Sequence, residues 1–186
     1  MKLLLIPVGL AAVLLAAWAW ITQPLPRATR ATAYPRVDAA RLRAHVETLS
    51  QRFFPRDAAH PANLDRAAAY IRGEFERASG QVSEQTYQVS GQTYRNVMAQ
   101  FGPATAQRVV VGAHYDAAGP IAAADDNASG VAGLIELAYL LGPAALAMRV
   151  ELAAYTLEEM PFFRSESMGS FLSIAETYRI SASSAT

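Results

Sequence analysis

The amino-acid sequence predicts an α/β fold, a mixed sheet flanked by helices. Three observations carry this expectation: two stretches of helical spacing come first, a stretch of period two follows, and a strand–helix–strand order comes after it. The chain has 186 residues, 52% of them apolar, with 16 basic and 16 acidic side chains. That is enough apolar material for one globular domain and too much for a disordered tail.

The first element is Leu3 to Ile21, an apolar run close to the roughly 20 residues that span a bilayer as a helix, with no charge between Lys2 and Arg27. Two readings fit it. One is an uncleaved anchor, favoured by its length and by Trp18 and Trp20, which suit a membrane interface. The other is a signal peptide cut after Ala17-Trp18-Ala19. Either places the body outside the cytoplasm: held at the membrane by one N-terminal segment, or secreted or periplasmic after cleavage. The expected division is residues 1–23 as anchor or signal peptide, 24–36 as a Pro-, Thr- and Arg-rich linker, and 37–186 as the folded part.

Within the folded part, Asp38 is placed to cap a helix whose Leu42, Val46, Leu49 and Phe53 share one face. A second helix has Pro61 in its first turn, a stripe of Leu64, Ala68, Ile71, Phe75 and Ala78, and Gly80 to end it. The period then changes: Gln85 to Val89 and Tyr94 to Phe101 read as strands about a Ser90-Gly91-Gln92 turn. Arg108 to Ala113 contains Val109-Val110-Val111, apolar on both faces as a central buried strand would be. Ser129 to Leu141 reads as a helix and Arg149 to Leu157 as another buried strand, while Ser181 to Thr186 is a small, polar end.

Zero net charge hides an asymmetry. Arg27 to Arg56 carries seven Arg against two acids, Asp38 and Glu47, and Ala113 to Ser170 carries eight carboxylates against Arg149 and Arg164. No basic face for nucleic acid is indicated. Without cysteine there is no disulfide framework and no thiolate site, so a transition metal would be held by imidazole and carboxylate.

Such groups cluster at predicted strand ends, where open α/β sheets bind ligands. His114-Tyr115-Asp116 follows the triple-valine strand, and residues two apart on a strand point the same way, so Asp116 can fix the His114 ring while the other nitrogen binds a metal. Asp125-Asp126 precedes the Ser129 helix; capping by Asp126 or Asn127 explains one acid well and the second poorly. Glu158-Glu159 ends the next strand, ahead of Met160-Pro161-Phe162-Phe163. A bound dication is the simplest way to hold so much negative charge along one edge. The expected pocket lies where His114, Asp126 and Glu159 converge, with Phe162 and Phe163 along one side.

The segments "GAHYD", "ADDNASG" and "LEEMPFF...MGS", in this order, resemble the di-zinc aminopeptidases of metallopeptidase family 28, which also contains glutaminyl cyclases. The resemblance covers about Asp38 to Ser170 and implies a three-layer zinc-exopeptidase-like sandwich and a membrane-anchored or exported aminopeptidase acting on peptides. It implies that His114 binds one zinc, Asp126 bridges two, Glu159 binds the other, Glu158 is the general base and Asp116 orients His114. Two further ligands belong to the family pattern, an acid after another strand and a final His. After Ser170 only Glu176 remains as an acid and no His follows His114. The expectation is therefore a C-terminally incomplete, truncated domain in which each zinc lacks one protein ligand. Two other functions stand beside the peptidase: a single-zinc, cyclase-like acyltransferase, and a non-catalytic ectodomain of the same fold.

Overall fold

The computed structural model describes residues 5–22, 36–105 and 107–175. The chain divides into two units, Met1–Pro35 and Arg36–Thr186. The expected linker, apart from Arg36, and the polar end from Ser181 lie outside the described residues.

In the first unit, α1 (Leu5–Thr22) forms from the apolar run. Among the described residues no helix is long and apolar enough to cross a membrane.

The second unit begins with α2 (Ala39–Glu47), capped as expected: the Asp38 carboxylate accepts from the backbone N–H groups of Ala40 and Arg41 at 2.9 and 3.1 Å. The helix runs on as a π-helical turn, Thr48–Arg52, that buries Leu49. In α3 (Pro61–Arg77) the stripe Leu64, Ala68, Ile71 and Phe75 is buried, and the Gly80 N–H closes the end on the Phe75 carbonyl at 3.0 Å.

Strands β1 (Gln81–Val89) and β2 (Gln92–Phe101) pair antiparallel from Val89↔Gln92 to Gln81↔Gln100. Both are longer than the sequence pattern suggests. Gln81 to Glu84 show no apolar alternation, but the length of β2 offers them a ladder, and pairing overrides weak propensity. After β3 (Arg108–His114), α4 (Gly130–Leu141) crosses back to β4 (Arg149–Tyr155), which lies parallel to β3 and antiparallel to β2. The order is β1-β2-β4-β3.

Register puts Val97, Ala99, Leu152 and Ala154 on one face, in a core shared with α3 and α4. On the opposite face the Asn96 amide donates to the Gly169 carbonyl (2.8 Å) and Gln85 to the Leu172 carbonyl (3.3 Å), within a helical segment at 169–175. Helices therefore cover both faces of a mixed sheet. The close approach at Gly169 requires glycine, since a Cβ there would collide with the Thr156 carbonyl and Asn96.

The expectation of β3 as a central buried strand is corrected. It is the edge strand of the described sheet, with Val109 and Val110 47% and 43% exposed, whereas β4 is paired on both sides and Leu152, Ala153 and Ala154 are fully buried. An apolar run records the surroundings of side chains and carries no count of neighbouring strands.

Candidate metal centre

The parallel pairing of β3 with β4 brings the carboxyl ends of both strands to one edge, and the Tyr115 N–H extends the ladder to the Tyr155 carbonyl (2.8 Å). His114 and Asp116 bracket buried Tyr115. Beyond β4 the chain turns at Leu157, buried and left-handed at φ +58°, and delivers Glu158 and Glu159 beside them.

Asp116, 2% exposed, fixes that turn: its two carboxylate oxygens accept from the N–H groups of Glu158 (3.2 Å) and Glu159 (3.1 Å). It faces the His114 ring as well, Oδ1 lying 3.5 Å from Nδ1, an ion-pair separation that leaves Nδ1 without a hydrogen-bond partner. Nε2 of His114 points the other way, 3.0 Å from Asp126 Oδ1 and 3.7 Å from Glu158 Oε2. One ligand atom each from His114, Glu158 and Glu159 lies within 4.8 Å of the others.

Asp126 reaches this point on a π-helical turn, Ala124–Ser129, that leads into α4. The capping duty left open between Asp126 and Asn127 falls to Asn127, whose Oδ1 accepts from the Gly130 N–H at 2.9 Å. That leaves Asp126 for His114. Asp125 is exposed, and its carbonyl accepts from the Ser129 hydroxyl at 2.8 Å.

Among the described residues no Arg or Lys forms an ion pair with Asp116, Asp126, Glu158 or Glu159. Burial works to lower the His114 pKa, but the facing Asp116 carboxylate and the charges of Glu158 and Asp126 outweigh it and raise it to about 9. Glu158 is raised by burial and by Asp116 and Asp126, against the pull of His114. Glu159 is raised by burial and then by Asp126, with His114 again opposing.

A cavity of about 290 Å³ adjoins this cluster, lined by Asp116, Glu159, Met160 and Pro161 together with Asp57 and His60. Phe162 and Phe163 do not line this cavity: Phe162 packs against the core and Phe163 is 43% exposed. The opposite wall comes from the turn before α3, where His60 Nδ1 meets Asp57 Oδ1 at 2.7 Å. Sequence reasoning missed Asp57, His60 and buried Arg56. The Asp-x-x-His spacing before Pro61 was the available signal for the first two.

Residues 96–183 match the model of peptidase family M28. This part of the chain belongs to that family. The curated protein YfbL of Escherichia coli (strain K12), described as uncharacterized, is 42% identical over 142 residues, covering 72% of this chain and 44% of its own. Among solved structures, a Bacteroides thetaiotaomicron glutaminyl cyclase bound to N-acetylhistamine is similar with TM-score 0.62 at 23% identity, covering 68% of this chain and 49% of its own. A leucine aminopeptidase precursor from the same organism gives TM-score 0.57 at 23% identity, covering 67% and 49%. A Zn-dependent exopeptidase from Parabacteroides distasonis gives 0.54 at 26% identity, covering 68% and 49%. The fold is that of zinc exopeptidases and glutaminyl cyclases, and the chain spans about half the length of these relatives.

The donors fit zinc. The ion takes imidazole nitrogen and carboxylate oxygen in compact sets, and here one imidazole and several carboxylates converge with no Arg or Lys ion-paired to them among the described residues.

Proposed function

We propose that this chain carries the zinc site of an aminopeptidase-type metallopeptidase that hydrolyses peptide bonds near the N-terminus of peptides. The observation that carries the reading is the convergence of His114, Glu158 and Glu159 within 4.8 Å, with Asp126 Oδ1 3.0 Å from His114 Nε2. His114, Asp126 and Glu159 would hold the zinc. Bound there, zinc would polarise the scissile carbonyl and ease deprotonation of the attacking water.

The remaining work belongs to the chain. Glu158 has its backbone pinned by Asp116 and a carboxyl pKa raised by burial, which brings it nearer to neutrality, where a group both accepts and returns a proton. It takes the proton of the attacking water and passes it to the leaving amine. Asp116 keeps Glu158 and Glu159 in register and holds negative charge behind the His114 ring. The cavity against Glu159 receives the substrate residue. The uncharged N-terminal run supports a location outside the cytoplasm.

The test is zinc titration with a leucine-anilide assay on the full chain and on Glu158→Gln and Glu159→Gln. The reading expects Glu158→Gln to keep zinc and lose turnover, and Glu159→Gln to lose zinc. Equal zinc binding by all three would remove it. A second reading, a single-zinc cyclase-like acyltransferase, is favoured by the one three-residue ligand group among the described residues. A stoichiometry of one zinc, with cyclisation of N-terminal glutamine in place of anilide hydrolysis, would select it.

A further inference from the structure

Arg56 is the largest fully buried side chain of the chain's described part, and it lies outside every motif that marks the metal site. A buried guanidinium ordinarily meets a carboxylate. Here it meets backbone. Nε donates to the Tyr115 carbonyl (2.9 Å), Nη1 to the carbonyls of Leu49 (2.8 Å) and Ala122 (2.9 Å), and Nη2 to that of Ala123 (2.7 Å). Its own carbonyl accepts from the Ala117 N–H at 3.0 Å. The cation also sits near enough to Asp116 to interact with its charge.

These partners are not scattered. Tyr115 lies between His114 and Asp116, and Ala122 and Ala123 are the residues just before the turn that carries Asp125 and Asp126. Ala123 is itself left-handed, at φ +46° and ψ 50°, a conformation alanine adopts rarely and one that needs holding. Without Arg56 the carbonyls of Tyr115 and Ala122 would lose the guanidinium as donor, and that of Ala123 would keep only the Ala128 N–H at 3.2 Å.

We propose that Arg56 is the positioning residue of the candidate metal centre: by clamping the carbonyls of Tyr115, Ala122 and Ala123 it sets the spacing of His114 from Asp126. The planar fork spreads four N–H groups over four carbonyls on three segments. A lysine ammonium, a point charge with three donors, cannot span them. The inference rests on the metal-site reading for its purpose and on the hydrogen bonds alone for its mechanics.

The experiment uses the full chain with Arg56→Lys and Arg56→Gln. Amide hydrogen exchange of the metal-free proteins is followed at 115–117 and 122–128 and, as an internal reference, in the β1–β2 hairpin. Cobalt(II) titration then gives affinity and the visible spectrum. The expected result is unchanged protection in the hairpin, at least tenfold faster exchange in both loops, cobalt affinity weakened at least tenfold and a shifted cobalt band. Wild-type exchange in both loops would overturn the proposal, as would loosened loops with unaltered cobalt affinity and spectrum. Loss of protection in hairpin and loops together, for both variants, would also overturn it, because Arg56 would then support the whole fold and not the site. A wild-type chain that takes no cobalt, with loops that still loosen in Arg56→Lys, would remove the metal reading and leave the clamp standing.

Discussion

Two histidines of this chain are enclosed by carboxylates, and they titrate in opposite directions. His45, on α2, is 3% exposed; its Nδ1 meets the Tyr70 hydroxyl at 2.6 Å and its Nε2 lies 3.7 Å from Glu136 Oε1. Burial pushes its pKa below the ordinary 6.5, and the pull of Glu74 and Glu136 does not recover it. His114 is raised to about 9 despite its own burial. The difference lies in the counter-ions. Glu136 is bound by the Arg41 guanidinium, with Nη2 2.9 Å from Oε2, and Glu74 by Arg77, so the negative charge near His45 is already neutralised. At the strand ends no such cation pairs with the acids among the described residues. A compensated cluster is structural; an uncompensated one has room for a metal.

The largest expected effect comes from taking the imidazole out of the uncompensated cluster. His114→Gln should weaken zinc or cobalt binding by about 100-fold or more, since it removes a donor nitrogen and leaves carboxylates alone. Competition against a chelator of known affinity measures this, and wild-type affinity would break the comparison.

Next in size is the pH dependence of that binding. A His114 pKa raised to about 9 means that metal must displace a proton at neutral pH. Affinity should rise by roughly tenfold per pH unit up to about pH 9 and then level off. In the metal-free chain the sign reverses: stabilisation by protonated His114 is fully present below about 6.5 and is lost as pH rises through about 9.

A smaller effect should follow from making the His45 cluster resemble the other one. Arg41→Gln strips Glu136, which is 1% exposed, of its charged donor and should cost about 2 kcal/mol in denaturant unfolding. It should also move the His45 pKa upward, read by NMR titration, because the cation that lowers it is gone and Glu136 still raises it. A pKa that stays put would show that burial alone sets it.

The smallest effect is the acid-side stability conferred by His45. Its pKa is depressed in the folded chain, so the unfolded chain binds more protons below about 6.5 and stability should fall as pH drops from that value. The groups facing His45 are Tyr70, Glu74, Glu136, Arg41 and Arg77. His45→Gln should flatten this part of the thermal-melting profile, and an unchanged slope would assign the acid sensitivity to other groups.

The contrast between the clusters also explains what the sequence could convey. His114, Asp116, Asp126, Glu158 and Glu159 were legible because strand-end placement and paired acids are written into local order, and the structure brings all five to one place. Which residue caps α4 was not legible, since Asp and Asn have the same capping chemistry; only the geometry gives the task to Asn127. The edge position of β3 was hidden because Val109-Val110-Val111 says nothing of how many strands stand beside it. Arg56 was silent for another reason: its partners are backbone carbonyls, which every residue has. The Asp57–His60 wall of the cavity was out of view because more than fifty residues separate it from Asp116 and Glu159, and no periodicity links segments so far apart.

The parallel pairing of β3 with β4 governs the order in which the molecule comes together. The β1–β2 hairpin closes across a two-residue turn and needs no other part of the chain. The β3–β4 pair joins Arg108 to Arg149 and His114 to Tyr155 across the whole of α4, so the loop-closure entropy is spent before any ladder bond returns it. Every residue of the candidate metal centre lies at the far end of that non-local pair. The centre therefore belongs to the slow part of the folding reaction, and a metal captured there acts on the final, rate-setting closure and leaves the early hairpin untouched.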